Sequence, residues 1–303
     1  MKTRVFCDSG APSIFHQYAR QKKDNARYMG TFLKDRKHDK YDWLDNPDYL
    51  KYRDNYIRYV KRHEHELELY TNLDIVNNPK ATWENQLYLE SHGLKPLPVW
   101  HFGTDEKWLC HYIDKGYDYI GIGGMIPNPY NILRPALDDI FSTIICGRGG
   151  MPRVKIHGFA ATSIPLMCRY PWYSVDSSTW IKTAAFGQIV VPRKVSGEFK
   201  FTDIPHKIEI TYRSPRRKQK GRHFDNVGPA IREYIQEYVA MQGFEWGESR
   251  YEGDKEIIIK RGLINTPSIR CQLNMLYYAG LRDALPKWPW AFKQKKTASL
   301  GLL

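Results

Sequence analysis

Three aspartates and two histidines stand at or near the ends of short β-rich runs. Asp8 closes RVFCD, Asp74 closes LYTNLD and Asp176 closes WYSVD; His101 closes LPVWH, and His157 lies in RVKIHG. Unpaired charges are costly to desolvate, so three acids at equivalent strand ends are poor core material. Two acids at one mouth suit glycosidic chemistry: one attacks or stabilises the anomeric carbon while the other handles the proton. A third, set deeper, can accept hydrogen bonds from the edge of a base. Gly123 and Gly124, in YIGIGG, allow a backbone to approach a flat ligand closely. The GIGG run is not a dinucleotide fingerprint, because no GxGxxG opens a helix there and Pro127 and Pro129 follow. Taken singly, each aspartate also reads as a strand-end cap or turn former. His157 reads equally as a core histidine or as an orienting group.

These residues need a scaffold that brings strand ends together. Short apolar runs bounded by turn residues predict strands over 4–8, 69–74, 97–101, 119–123, 153–158, 172–176 and 188–191. Helical spacing predicts helices over 48–68, 79–91, 105–115, 133–145 and 163–169, the second with Pro79 in its first turn and Gly93 as its stop. Strand–helix alternation implies parallel strands joined by crossovers. Seven strands before residue 192 point to an α/β fold, a (β/α)8-type TIM barrel, irregular where the eighth strand is short or replaced. A doubly wound open sheet is the competing architecture. After Pro192 the texture changes: an extended or hairpin segment over 194–212, then helices over 225–242 and 266–285. The expected division is a barrel domain over residues 1–192 and a basic, α-rich extension over 193–303.

Composition narrows the partners. The 303 residues carry 46 Lys plus Arg against 33 Asp plus Glu, a net charge of +13, which favours an anionic partner and most simply nucleic acid. The run RSPRRKQKGRH holds Arg213, Arg216, Arg217, Lys218, Lys220 and Arg222 with no acid, and Lys22, Lys23 and Arg27 form a second cluster. Such cations bind a phosphate backbone without reading sequence; the competing reading of the run is a solvated loop. Five scattered cysteines with no CxxC pair signal neither a zinc knuckle nor a disulfide framework. No apolar run is long enough to span a bilayer, and MKTRVFCDSG lacks the apolar stretch of a secretory leader, so the expected location is the cytoplasm, with no membrane partner.

CDSGA at the first strand resembles the DSGG element of the tRNA-guanine transglycosylase superfamily. NLD, ATWENQ, VWHFG, GIGGM, VKIHGF and RYPWYSVDSSTW follow in the order of that family's barrel motifs. The set is most similar to phage and bacterial DNA-guanine transglycosylases, which place 7-deazaguanine bases in DNA, and the resemblance covers roughly residues 5–192. It implies that Asp176 is the nucleophile forming a covalent sugar–enzyme intermediate and that Asp8 is the acid/base. It implies that Asp74 binds the guanine N1 and amino edge, and that Gly123 and Gly124 donate to the base carbonyl. His101 falls where the family usually has Gln, as a base-edge partner; His157 is a candidate group for orienting the base site, with a core histidine the equal alternative. Phe6 and Phe102 are candidates for stacking on the base, with core packing the simpler role. The tRNA enzymes carry a CxCxxC zinc run that this sequence lacks, so no metal and no cofactor is expected. The implied partners are DNA and a free 7-deazaguanine base. tRNA is the alternative polymer, and a barrel glycoside hydrolase or a non-catalytic nucleic-acid-binding protein are the alternatives in kind.

Overall fold

The computed structural model describes residues 5–10, 45, 47–214, 217–219, 221–253 and 255–293. They fall into two compact units. One takes the described residues up to Ala160, then Trp172–Val175, then those from Ala291; the other takes Ala161–Pro171 and Asp176–Trp290. The expected boundary at 192/193 lies inside the second unit. Lys22, Lys23, Arg27, Arg216 and Lys220 lie outside the described residues, as does the chain from residue 294 onward.

In the first unit, β1 (Val5–Cys7), β2 (Leu67–Tyr70), β3 (Val99–His101), β4 (Tyr119–Gly123), β5 (Lys155–Gly158) and β6 (Ser174–Val175) alternate with α1 (Pro47–His63), α2 (Pro79–Ser91), α3 (Lys107–Asp114) and α4 (Tyr130–Ile140). β1 pairs with β2, and β3 to β6 pair in chain order, all parallel. Among the described residues, a single parallel bridge, Thr71 to Leu97, joins the two sets. The run is strongly curled. Neighbouring strands lie about 4.8 Å apart, so a flat sheet would hold β1 and β5 about 19 Å from each other. Instead the Phe6 ring of β1 meets the His157 ring of β5 with centroids 4.7 Å apart. Side chains of distant strands touch, so these strands do not lie in one flat layer.

Local chemistry sets the elements. Helix α2 starts where Asn78 Oδ1 accepts from the Ala81 N–H at 3.0 Å, with Pro79 in the first turn, and stops before Gly93 at φ +80°. Helix α1 buries Tyr49, Tyr56, Ile57 and Val60 on one face; the latter three pack with Tyr70, Leu73 and Leu89.

The second unit contains α5 (Ile164–Arg169), α6 (Thr179–Ala185), β7 (Gln188–Val191), β8 (Arg193–Val195), β9 (Glu198–Lys200), β10 (His206–Glu209), α7 (Pro229–Met241), β11 (Glu248–Glu252), β12 (Lys255–Lys260) and α8 (Pro267–Ala284). β7 is the seventh predicted strand, but its described partner is β10, antiparallel. β8–β9 and β11–β12 are antiparallel hairpins. The core gathers Ile189, Val191 and Ile208 with Tyr238, Val239 and Leu273. Among the described residues, no helix is long and apolar enough to cross a membrane.

Buried phenols make the fold sensitive to alkali. Burial pushes the Tyr49 hydroxyl up to about 12, partly opposed by its hydrogen bond with Asn85, and burial raises Tyr56, Tyr112, Tyr238 and Tyr277 as well. An exposed phenol in the unfolded chain titrates near 10, so these groups stabilise the fold fully below pH 10. That contribution drains away as the pH rises from 10 through the folded values. Tyr49 alone accounts for roughly 3 kcal/mol. Urea unfolding across that pH window should show a steep fall in stability; a flat profile would contradict it.

Candidate functional site

The C-terminal ends of β1, β2 and β3 converge on one carboxylate. His101, the last residue of β3, places Nε2 2.8 Å from Asp74 Oδ2. Ser9 Oγ donates to the other oxygen, Oδ1, at 3.3 Å. A carboxylate only accepts, so Nε2 carries the N–H of His101. His101 is 4% exposed and Asp74 13%, so the acid sits at the edge of the interior with its partners behind it. A carboxylate offers about four lone-pair sites, and these two bonds leave room for two further donors.

Asp8 lies immediately before Ser9 and is exposed, so the chain turn that delivers Ser9 to Asp74 also presents Asp8. Its carboxylate Oδ1 accepts from the Gly10 N–H at 3.4 Å. The turn is held from behind by α1. Tyr52 Oη donates to the Ser9 carbonyl, and Tyr56 Oη donates to the Thr71 carbonyl at 2.6 Å. Thr71 closes the set by accepting the Ser9 N–H on its own Oγ1 at 2.8 Å. Burial raises the Tyr52 hydroxyl above its ordinary value, and the Asp8 charge adds to the shift.

The loop that carries Asp74 is bound to α2 by buried polar side chains. Asn72 Nδ2 donates to the Thr82 carbonyl at 2.8 Å, Thr82 Oγ1 accepts from the Ile75 N–H at 2.9 Å, and Asn85 Nδ2 donates to the Leu73 carbonyl at 2.7 Å. Asp74 is therefore flanked on both sides by backbone groups tied to one helix. Ser9, Thr82 and Asn85 were not among the residues expected from sequence. The signal was present: Thr82, Asn85, Gln86 and Leu89 recur at helical spacing, and all four are buried.

Gly123 ends β4 beside this pair. A Cβ built there would lie 3.0 Å from His101 Cδ2 and 3.4 Å from Nε2. The bare backbone thus leaves space for the imidazole that supports Asp74, and the Gly123 carbonyl accepts from the Phe102 N–H at 2.9 Å. Gly123→Ala should push the ring off Asp74 and cost about 1–3 kcal/mol, the usual scale of overpacking. Nitrogen-15 NMR of the His101 ring would report the displacement, and unchanged ring signals would refute it. Gly124 is exposed just beyond.

His157 is placed differently. It is buried, with Phe6 and Phe159 set edge-on against its ring at 4.7 and 4.5 Å. Its Nδ1 lies 2.5 Å from Ser174 Oγ, which also meets Tyr119 Oη at 2.6 Å. Phe6 is half-buried and packs against this histidine. Asp176 directly follows β6, is exposed, and belongs to the second unit. The described part of the basic run is also in the second unit. There Arg213, Lys218 and Arg222 are exposed, and Arg217 is half-buried with Nε 2.9 Å from Asp225 Oδ2. Among the described residues, no group of three or more His, Cys, Asp or Glu could hold a metal ion. Comparison of the chain with protein-family models, with curated proteins and with solved structures yields no match.

Proposed function

We propose that this protein is a DNA-guanine transglycosylase, exchanging guanine in DNA for a 7-deazaguanine base, and that its curled parallel strands belong to a (β/α)8-type barrel. The observation that carries the reading is the Asp74 carboxylate. It is buttressed on one oxygen by His101 and on the other by Ser9, and it retains acceptor capacity for two donors. The Watson–Crick edge of guanine presents two such donors, N1–H and the amino group. A sugar ligand has no planar pair of this kind, which favours the base-exchange reading over a glycoside hydrolase.

In the proposed reaction the Asp176 carboxylate attacks C1′ of a guanosine residue. The C1′–N9 bond breaks, a sugar ester forms on Asp176, and Asp8 delivers a proton to the departing nitrogen. The incoming 7-deazaguanine then gives its ring N–H proton to the Asp8 carboxylate. Its nitrogen bonds to C1′, and Asp176 leaves as a carboxylate. Two inversions give net retention. No cofactor is consumed. The polymer must present the base unstacked, which sets a need for phosphate contacts. The proposed setting is a cytoplasm, that of the host if the chain is phage-encoded.

The test is to incubate the protein with DNA carrying radiolabelled guanine and an excess of 7-cyano-7-deazaguanine, beside a parallel tube of labelled tRNA. Guanine released from DNA alone is the expected result. Release from tRNA alone would move the protein to the tRNA branch. No release from either, across a set of 7-deazaguanines, would overturn the reading.

A further inference from the structure

The six cations between Arg213 and Arg222 invite treatment as one uniform phosphate-binding loop, but the described ones differ sharply. Arg217 is spoken for three times. Its Nε donates to Asp225 Oδ2 at 2.9 Å, its Cζ lies 3.8 Å from the Tyr212 ring centroid, and its carbonyl accepts from Asn226 Nδ2. Tyr212 in turn stacks on Tyr251 of β11, with centroids 4.3 Å apart and planes 22° from parallel. A ring with a near-parallel neighbour at that distance has room for a guanidinium only on its opposite face. Arg217, Tyr212 and Tyr251 are therefore three successive layers, with Tyr212 between the other two and its edge exposed. Tyr251 is fixed by donating from Oη to Glu256 Oε1 at 3.0 Å, and the Arg213 Cζ lies 5.5 Å from its ring centroid.

Arg213, Lys218 and Arg222 are exposed and form no ion pair with a carboxylate among the described residues. A guanidinium that lies against a ring keeps its in-plane N–H edge available, and that edge matches a phosphate. We propose that the Arg217–Tyr212–Tyr251 stack is a rigid mount, and that Arg213, Lys218 and Arg222 are the side chains that contact phosphates of a nucleic-acid backbone. Arg217, neutralised by Asp225, contributes no phosphate contact. This rests on the nucleic-acid part of the proposed function and divides the basic run into support and contact.

Salt dependence separates the two roles, because each phosphate contact adds about 0.7 to the log–log slope of affinity against salt for a single strand. Binding would be followed by fluorescence anisotropy with a labelled single-stranded DNA, and with RNA of the same sequence, over a salt series. Arg213→Ala, Lys218→Ala and Arg222→Ala should each lower the slope by about 0.7. Arg217→Gln should weaken binding with the slope unchanged. Asp225→Asn should steepen the slope by about 0.7, because it releases the Arg217 charge for the strand. A slope loss in Arg217→Gln equal to that in Arg213→Ala, or an unaltered slope in Asp225→Asn, would overturn the division. Wild-type protein that binds neither strand would instead overturn the nucleic-acid reading beneath it. DNA and RNA bound with equal slopes would be expected of backbone contact, whereas a slope seen with RNA alone would assign the surface to that polymer and against the DNA substrate.

Discussion

Asp176→Ala is expected to bring base exchange down by roughly 10⁴-fold or more, the scale on which loss of a covalent nucleophile acts. Affinity for the DNA strand should stay close to that of the unaltered protein. Asp176 is exposed and follows a two-residue strand, so its removal leaves no buried hole. The companion variant Asp8→Ala should also block turnover, yet for a different reason: the leaving base lacks its proton donor. Trapping checks the nucleophile directly: in the unaltered protein a sugar–enzyme ester should be recoverable by denaturing electrophoresis after quenching with labelled DNA, and in Asp176→Ala it should be absent. Unimpaired exchange in the Asp176 variant would remove the nucleophile from the proposal.

Asn274→Leu is expected to destabilise the second unit by about 2–4 kcal/mol, because the buried Val190 N–H is left without its partner at a cost of about 1–3 kcal/mol and two half-buried carbonyls each lose a bond. Asn274 is fully buried in α8. Its Oδ1 accepts from the Val190 N–H at 2.8 Å, and its Nδ2 donates to the carbonyls of Trp180 and Gln188 at 3.2 and 3.3 Å. One turn earlier, Arg270 Nε donates to the Ala184 carbonyl at 2.8 Å and Nη1 to the Leu263 carbonyl at 2.7 Å. One face of α8 thus fastens α6 and the β7 edge. Leucine keeps the branching and heavy-atom count of asparagine and opens no cavity, so the substitution removes the hydrogen bonds without leaving a hole. The check is a denaturant titration followed by circular dichroism. A midpoint unchanged by the substitution would show that the asparagine is replaceable.

Six strand positions were legible because each is a short apolar run between turn residues; the second, expected over 69–74, runs instead over Leu67–Tyr70, beginning inside the end of the helix expected over 48–68. The limits of α2 were legible because Pro79 and Gly93 mark them chemically. Helix α6 was not, since its seven residues have little periodicity of their own and depend on Asn274 and Arg270, more than eighty residues away. The β11–β12 hairpin was also missed. KEIIIK has no alternation, and Ile258 and Ile259 both remain exposed, so the pattern that announces a half-buried strand is absent. In the site, His101 could be picked out by strand position; Asp74 was expected to close a strand but lies in the loop four residues past β2, and the hydrogen bond between the two was not legible. Thr82 and Asn85 were lost for a simple physical reason: polar residues inside a helix read as its wet face, whereas here they face inward to hold a loop. Arg217 read as one more cation because one of its tyrosine layers, Tyr251, comes from a hairpin more than thirty residues further along the chain.

The membership of the two units has a consequence for synthesis on the ribosome. The first unit takes back residues from Ala291 onward, after more than a hundred residues given to the second. There the Phe292 N–H donates to the Gly150 carbonyl at 2.8 Å, and its ring lies 6.0 Å from that of Phe141, next to the buried Trp172. A nascent chain stalled before that point holds every parallel strand of the first unit yet lacks its last packing partner. Neither unit is a contiguous stretch that an expression boundary could isolate. Fragments cut at 192 should therefore emerge as clients of chaperones, while the second unit has all its residues available slightly before the first is complete.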